Sequence, residues 1–239
     1  MKFYFLLILL SCFLQLKVQA QAKEHSLQFV FTFNGEAIEL GKNYYLPSIK
    51  DSVQLEALKC YISDVQFLKK GEEVTTSIEK QCLLIDTENP ETLKHTFTAE
   101  SKKKNPFHTI QFNIGIDSLT NVSGALGGDL DPTKGMYWTW QSGYINFKLE
   151  GTSNVCPARH HLFQFHIGGY QAPFYALQKV ALDIPKNSNI EVHIAIDELL
   201  TQINLREDYQ IMSPNAKAME MAELILTIFA VPILTKERE

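Results

Sequence analysis

Leu27-Gln28-Phe29-Val30-Phe31-Thr32-Phe33, closed by Asn34-Gly35, is the stretch on which the fold turns. In an extended chain Leu27, Phe29, Phe31 and Phe33 share one side, and Gln28, Val30 and Thr32 share the other. The same period of two returns at Ile110, Phe112, Ile114 and Ile116, and again at Ile190, Val192, Ile194 and Ile196. Alternation with one wet face marks antiparallel strands. Further strands are expected at 53–67, 82–86, 144–150, 161–167 and 177–182. Strands separated by Gly, Pro, Asn and Asp turns predict an all-β fold, an antiparallel β-sandwich. One helical period stands out near the end. Ser213 is placed as N-cap and Pro214 as the first helical residue, where its missing N–H costs little. Met221, Leu224, Ile225, Ile228 and Phe229 form its apolar stripe, and Pro232 ends it. The sandwich is thus expected to carry a C-terminal α-helix.

The chain has 239 residues, 45% hydrophobic and 21% charged, with a net charge of −5. That composition is globular. Its acidity argues against nucleic acid, whose phosphates need clustered Lys and Arg. Lys102-Lys103-Lys104 is too short a run to reverse this. Residues 1–20 read as a signal peptide: Lys2 supplies the charge, 3–14 the apolar stretch, and Val18-Gln19-Ala20 the cleavage site. The apolar stretch is shorter than a spanning helix needs. The segment 224–234, broken by Pro232, reads as a core helix rather than a membrane anchor. A periplasmic or secreted location follows, with residues 21–239 as one domain. A second reading takes Leu9-Leu10-Ser11-Cys12 as a lipoprotein signal that anchors the chain through Cys12.

Export permits disulfides among the cysteines left after cleavage, Cys60, Cys82 and Cys156. A turn around Lys70-Gly71 could bring Cys60 and Cys82 onto adjacent strands. Cys156 is then a loop thiol, or a soft donor suited to Cu(I). Nothing resembles a CxxC zinc site, and the motifs of nucleotide-binding, serine-hydrolase and zinc-protease enzymes are absent, so no enzyme is expected. Glu150 or Asp183 as a hydrolytic base has no supporting constellation. Residues 118–135 form the longest loop signal. Asp129 and Asp131 there read as turn residues before calcium ligands, and Asn121-Val122-Ser123 matches a glycosylation acceptor.

Two neighbouring segments carry the remaining chemistry. The first, Gly135 through Gly151, holds both tryptophans, Trp138 and Trp140. Extended, they point to the same side about 7 Å apart. The second holds His160, His161 and His166, three of the seven histidines. On a strand, His161 shares a face with Phe163 and Phe165, while His166 shares the other with Leu162 and Gln164. Both could meet one ion only if the strand broke near His166, which Gly168-Gly169 would allow. His193 lies on the polar face of its own strand. Imidazole serves copper, zinc and iron alike.

Gly128-Asp129-Leu130-Asp131-Pro132, Gly135-Met136-Tyr137-Trp138-Thr139-Trp140, Gly143-Tyr144, Leu149-Glu150-Gly151 and Phe163-Gln164-Phe165-His166-Ile167-Gly168-Gly169 together resemble the MbnP-like copper-binding family. Tyr61-Ile62-Ser63-Asp64 and Met212-Ser213-Pro214 fit the same pattern. The resemblance covers the whole mature chain. It implies an exported, non-catalytic β-sandwich that binds copper beside a tryptophan oxidised to kynurenine by a di-haem cytochrome c peroxidase-like partner. It makes Trp138 or Trp140 the oxidised position and His166 the first metal ligand, with His161 and His193 behind it. The competing reading is a metal-free module that binds carbohydrate or protein through exposed aromatics, namely Tyr137, Trp138, Trp140, Tyr144 and Tyr170.

Overall fold

The computed structural model describes residues 22–69, 74–78, 82–100, 107–185 and 189–232. The expected signal peptide with Cys12, the expected turn at Lys70-Gly71 and the Lys102–Lys104 run lie outside the described residues. The longer elements, in chain order, are β1 (Ala22–Phe33), β2 (Asp51–Leu68), β3 (Cys82–Asp86), β4 (Lys94–Glu100), β5 (Thr109–Ile114), α1 (Ser118–Val122), β6 (Gly143–Thr152), β7 (Leu162–Gly168), β8 (Gln178–Asp183), β9 (Asn189–Ala195), α2 (Ile196–Thr201) and α3 (Ala216–Thr227). The all-β sandwich is the observed fold.

The smaller sheet is built on β1, which pairs with β9 and β4. The larger sheet runs β8-β5-β2-β6-β7, with β3 also on β2. Cys60 pairs with both Phe147 of β6 and Ile85 of β3, and Ile62 with both Ile114 of β5 and Leu83 of β3. Thus β6 and β5 follow one another along one edge of β2, and β3 takes the other. Apolar alternation decides which residues turn inward. Phe29 of β1 meets Phe112 of β5 with centroids 5.7 Å apart, and Phe31 meets Phe147 of β6 at 6.5 Å. These edge-on aromatic contacts join the two sheets through one core.

Several expectations are corrected. Pairing is not wholly antiparallel: β1 and β9 run parallel, from Ser26↔Asn189 to Thr32↔Ala195. Alternation fixes the buried face but says nothing of strand direction. Ile196 opens α2 instead of extending β9, and β4 carried no clear period. The C-terminal helix starts after Asn215, whose Oδ1 accepts the Ala218 N–H at 2.9 Å, so Ser213 is not the cap. It ends at Thr227, before Pro232, because Phe229–Ala230 is drawn into a strand against β9. Ala218, Met221, Ala222 and Ile225 form its buried face.

No disulfide joins Cys60, Cys82 and Cys156. Cys60 points into the main core and Cys82 to the other face of the larger sheet, pairing at Ser63 rather than beside Cys60. A bridge would have to pass through the sheet. Burial pushes the Cys60 thiol far up from its ordinary pKa. Cys156 donates its thiol to the Leu162 carbonyl at 3.0 Å.

Candidate functional site

The outer face of the larger sheet is not wet. Tyr61, Leu84, Met136, Trp138, Tyr144 and Ile145 form a second apolar cluster there. Residues 118–135, expected as a loop, are its roof. Tyr144 holds the roof down: its hydroxyl accepts the Leu126 N–H at 2.9 Å and donates toward the Gly124 and Leu130 carbonyls. The Tyr61 hydroxyl donates to the Asp129 carbonyl at 3.0 Å. Asp129 also accepts the Leu84 N–H and pairs with Lys134, and Asp131 accepts from Thr133. Asp129 thus ties the roof to β3, and Asp131 serves one of the roof's own turns. Asn121 is buried, with its amide donating to the Ile116 carbonyl and its Oδ1 accepting the Tyr144 N–H at 2.9 Å. That side chain is an anchor inside the fold and offers no glycan attachment.

Under the roof's edge lie the two tryptophans. Trp138 pairs with Gly143 in a short strand against β6 and is 5% exposed, while Trp140 is 66% exposed. Their rings stay in contact, with centroids 6.2 Å apart and planes tilted by 52°. Trp138 fits because residue 168 has no side chain. A Cβ at Gly168 would stand 2.8 Å from the indole Cζ3 and 2.5 Å from the Tyr144 carbonyl. The indole Nε1 is buried with no hydrogen-bond partner among the described residues. A cavity of about 290 Å³ adjoins Trp138, walled by Gln141, Tyr170, Gln171, Phe174 and Pro214. The five aromatics of the competing reading do not form an exposed row, since Trp138 and Tyr144 are buried and only Trp140 stands free.

His166 sits on the same face. β7 runs unbroken from Leu162 to Gly168, so the break that would let His161 and His166 meet one ion is absent. Phe163, Phe165 and Ile167 point into the core, and Gln164, His166 and Gly168 point outward. Trp138 therefore fills the side-chain position next to His166 on one strand face. His166 itself is 7% exposed, and its Nε2 lies 2.5 Å from Glu150 Oε1. A carboxylate only accepts, so Nε2 carries the proton and Nδ1 keeps the lone pair of the neutral ring. Lys148 stands 3.4 Å from the same carboxylate oxygen. The hydrogen bond from His166 and the Lys148 charge outweigh partial burial and hold the Glu150 pKa down at about 2. In register across the sheet, Asp86, Lys59, Lys148 and His166 form one polar row.

The other two histidines lie elsewhere. His161 ends a 3-10 turn, Arg159–His161, before β7 begins, with φ +59° and its Nδ1 on the Cys156 carbonyl at 3.1 Å. The strand expected from residue 161 starts one residue later. His193 is on the outer face of the smaller sheet, bonded to Glu191. His166 and His193 thus face opposite sides of the sandwich, with the core about 10 Å thick between their sheets. The three do not converge. Among the described residues, which include all seven histidines, no three His, Cys, Asp or Glu side chains group as a metal site. In the sequence Glu150 stands out as an unsupported base and as part of the Leu149-Glu150-Gly151 motif, not as a partner of His166, and Lys148 does not stand out at all. The signal available was parity, since both fall on the outward positions of their strand.

A roofed β-sandwich with a buried indole beside a carboxylate-held imidazole is the class of protein defined here. The chain belongs to the MbnP family, whose profile, described as MbnP, matches residues 22–214. Among solved structures it is similar to MbnP from Methylosinus trichosporium, with a TM-score of 0.58 and 14% identity over 78% of this chain and 80% of that one. At that identity the likeness is one of fold. No curated protein matches the chain.

Proposed function

We propose that this chain is an exported, non-catalytic copper-binding member of its family, with the metal held at the outer face of the larger sheet beside Trp138. One observation carries the reading: the His166 imidazole is clamped through Nε2 by Glu150, and Trp138 fills the neighbouring position. Histidines that ligate metals commonly donate their other ring N–H to a carboxylate, which fixes ring and tautomer. His166 would be the nitrogen donor and Glu150 its positioning group. This donor chemistry suits copper, but one imidazole falls short of a complete site.

The missing donor is expected at Trp138, through oxidation to kynurenine by a di-haem cytochrome c peroxidase-like partner. Insertion of two oxygen atoms across the indole C2–C3 bond, with peroxide reduced to water, and hydrolytic loss of formate would leave an aryl amine and a ketone. The amine adds a second nitrogen next to His166. Conversion replaces the indole N–H, which the fold leaves unpaired, by an aryl amine with two N–H donors, one of them within reach of the new ortho ketone. Trp138 is favoured over Trp140 because Trp140 projects away into solvent.

Protein from its native host should carry copper and the intact-mass change of kynurenine at Trp138. His166→Ala should lose most of the copper while keeping the fold by circular dichroism. Copper-free protein with both tryptophans intact would overturn the proposal.

A further inference from the structure

A second cavity lies away from the tryptophans, at the other end of the roof. It measures about 750 Å³, within the usual range for small-molecule sites. A backbone irregularity makes it. Asp64 sits at φ +50°, and the β2–β5 register shifts between Ser63 and Gln66. The two strands part there, and α1 spans the gap. Val65, Ile116, Leu119, Leu126 and Leu130 give the cavity apolar walls.

Two features of the lining point to a ligand. Of the six large apolar side chains exposed among the described residues, Leu119 (79%), Val122 and Leu126 fall within one short stretch at this cavity, and Leu119 and Leu126 line it. Apolar groups gathered around a concavity mark binding surfaces. Asp64 and Asp117 also line it, whereas no Lys, Arg or His does among the described residues. Asp117 stays ionised: partial burial raises its pKa, but hydrogen bonds from the Thr120 hydroxyl and backbone outweigh this and lower it. Neither carboxylate has an ion-pair partner within the lining: Asp117 accepts from Thr120 on both oxygens and Asp64 Oδ1 from Gln66, which leaves both negative charges uncompensated there.

We infer that this cavity binds a small hydrophobic cation, an amine whose apolar body enters between β2, β5 and α1 while its ammonium meets Asp64 and Asp117. The site is independent of Trp138 and His166, so it stands or falls apart from copper.

Calorimetric titration of the mature chain with n-octylammonium, and separately with n-octanoate, tests it. The amine should bind saturably at one site, and the carboxylate at least about tenfold more weakly. Leu126→Arg places a cation on an exposed rim position and should weaken the amine about tenfold. Asp117→Asn keeps a good N-cap for α1 and should reduce the preference for amine over carboxylate. Circular dichroism confirms that both variants fold. Absence of saturable amine binding, equal binding of the two probes, or an unchanged affinity in Leu126→Arg would each overturn the inference.

Discussion

At Glu150 a single carboxylate couples two strands and one imidazole. Its pKa falls from the ordinary 4.5 to about 2, chiefly through the His166 hydrogen bond. A group whose pKa is lowered by folding stabilises the folded state fully above its unfolded value, and loses that contribution as pH falls toward the folded value. The window is therefore about pH 4.5 down to 2. The wild type should lose urea stability across that window faster than Glu150→Gln, so the gap between their midpoints should close. A gap that stays constant from pH 6 to pH 3 would show that the pair contributes nothing. The facing of His166 was legible in the sequence, since Phe163 and Phe165 fix the parity of the strand. That Lys148 would stand directly across from His166, and Glu150 on the diagonal within hydrogen-bond reach, was not. It depends on the β6–β7 register, which shifts between Ile145 and Phe147 with no local signal.

Among the elements, the roof departs furthest from what alternation suggests. Its residues are turn formers, and turn chemistry says how a segment bends, not what it covers. Asn121 shows the difficulty: as sequence it is a glycosylation acceptor, as structure it is a buried tie from α1 to Ile116 and Tyr144. Replacing it by Ala would leave the buried Ile116 carbonyl and Tyr144 N–H short of a partner. Asn121→Ala should destabilise the chain by about 1–3 kcal/mol, read as a lower urea midpoint. The same substitution should raise near-ultraviolet disorder around the tryptophans. An unchanged midpoint would mean that the roof is held by Tyr144 and Tyr61 alone.

For the molecule as a whole, the strands and their inward faces were readable, because burial on one side imposes a period of two. Strand direction, the second cluster and the separation of His161 and His193 were not, because each depends on contacts between distant segments. The cysteines illustrate the point, since Cys60 and Cys82 lie close along the sheet yet face opposite sides. Reductant should therefore leave the melting temperature of the purified chain unchanged. A fall of several degrees would mean that a disulfide forms after all.

The parallel pairing of β1 with β9 also sets an order of events. The opening strand is the centre of its sheet, and the neighbour it needs is more than 150 residues downstream, from Asn189 onward. On the ribosome, one edge of that strand must wait until Asn189–Ala195 has emerged before its hydrogen bonds are complete. Such long-range closure makes folding slow. With β4 on one side and the other side still vacant, β1 exposes a row of unsatisfied backbone groups to any passing strand until β9 arrives.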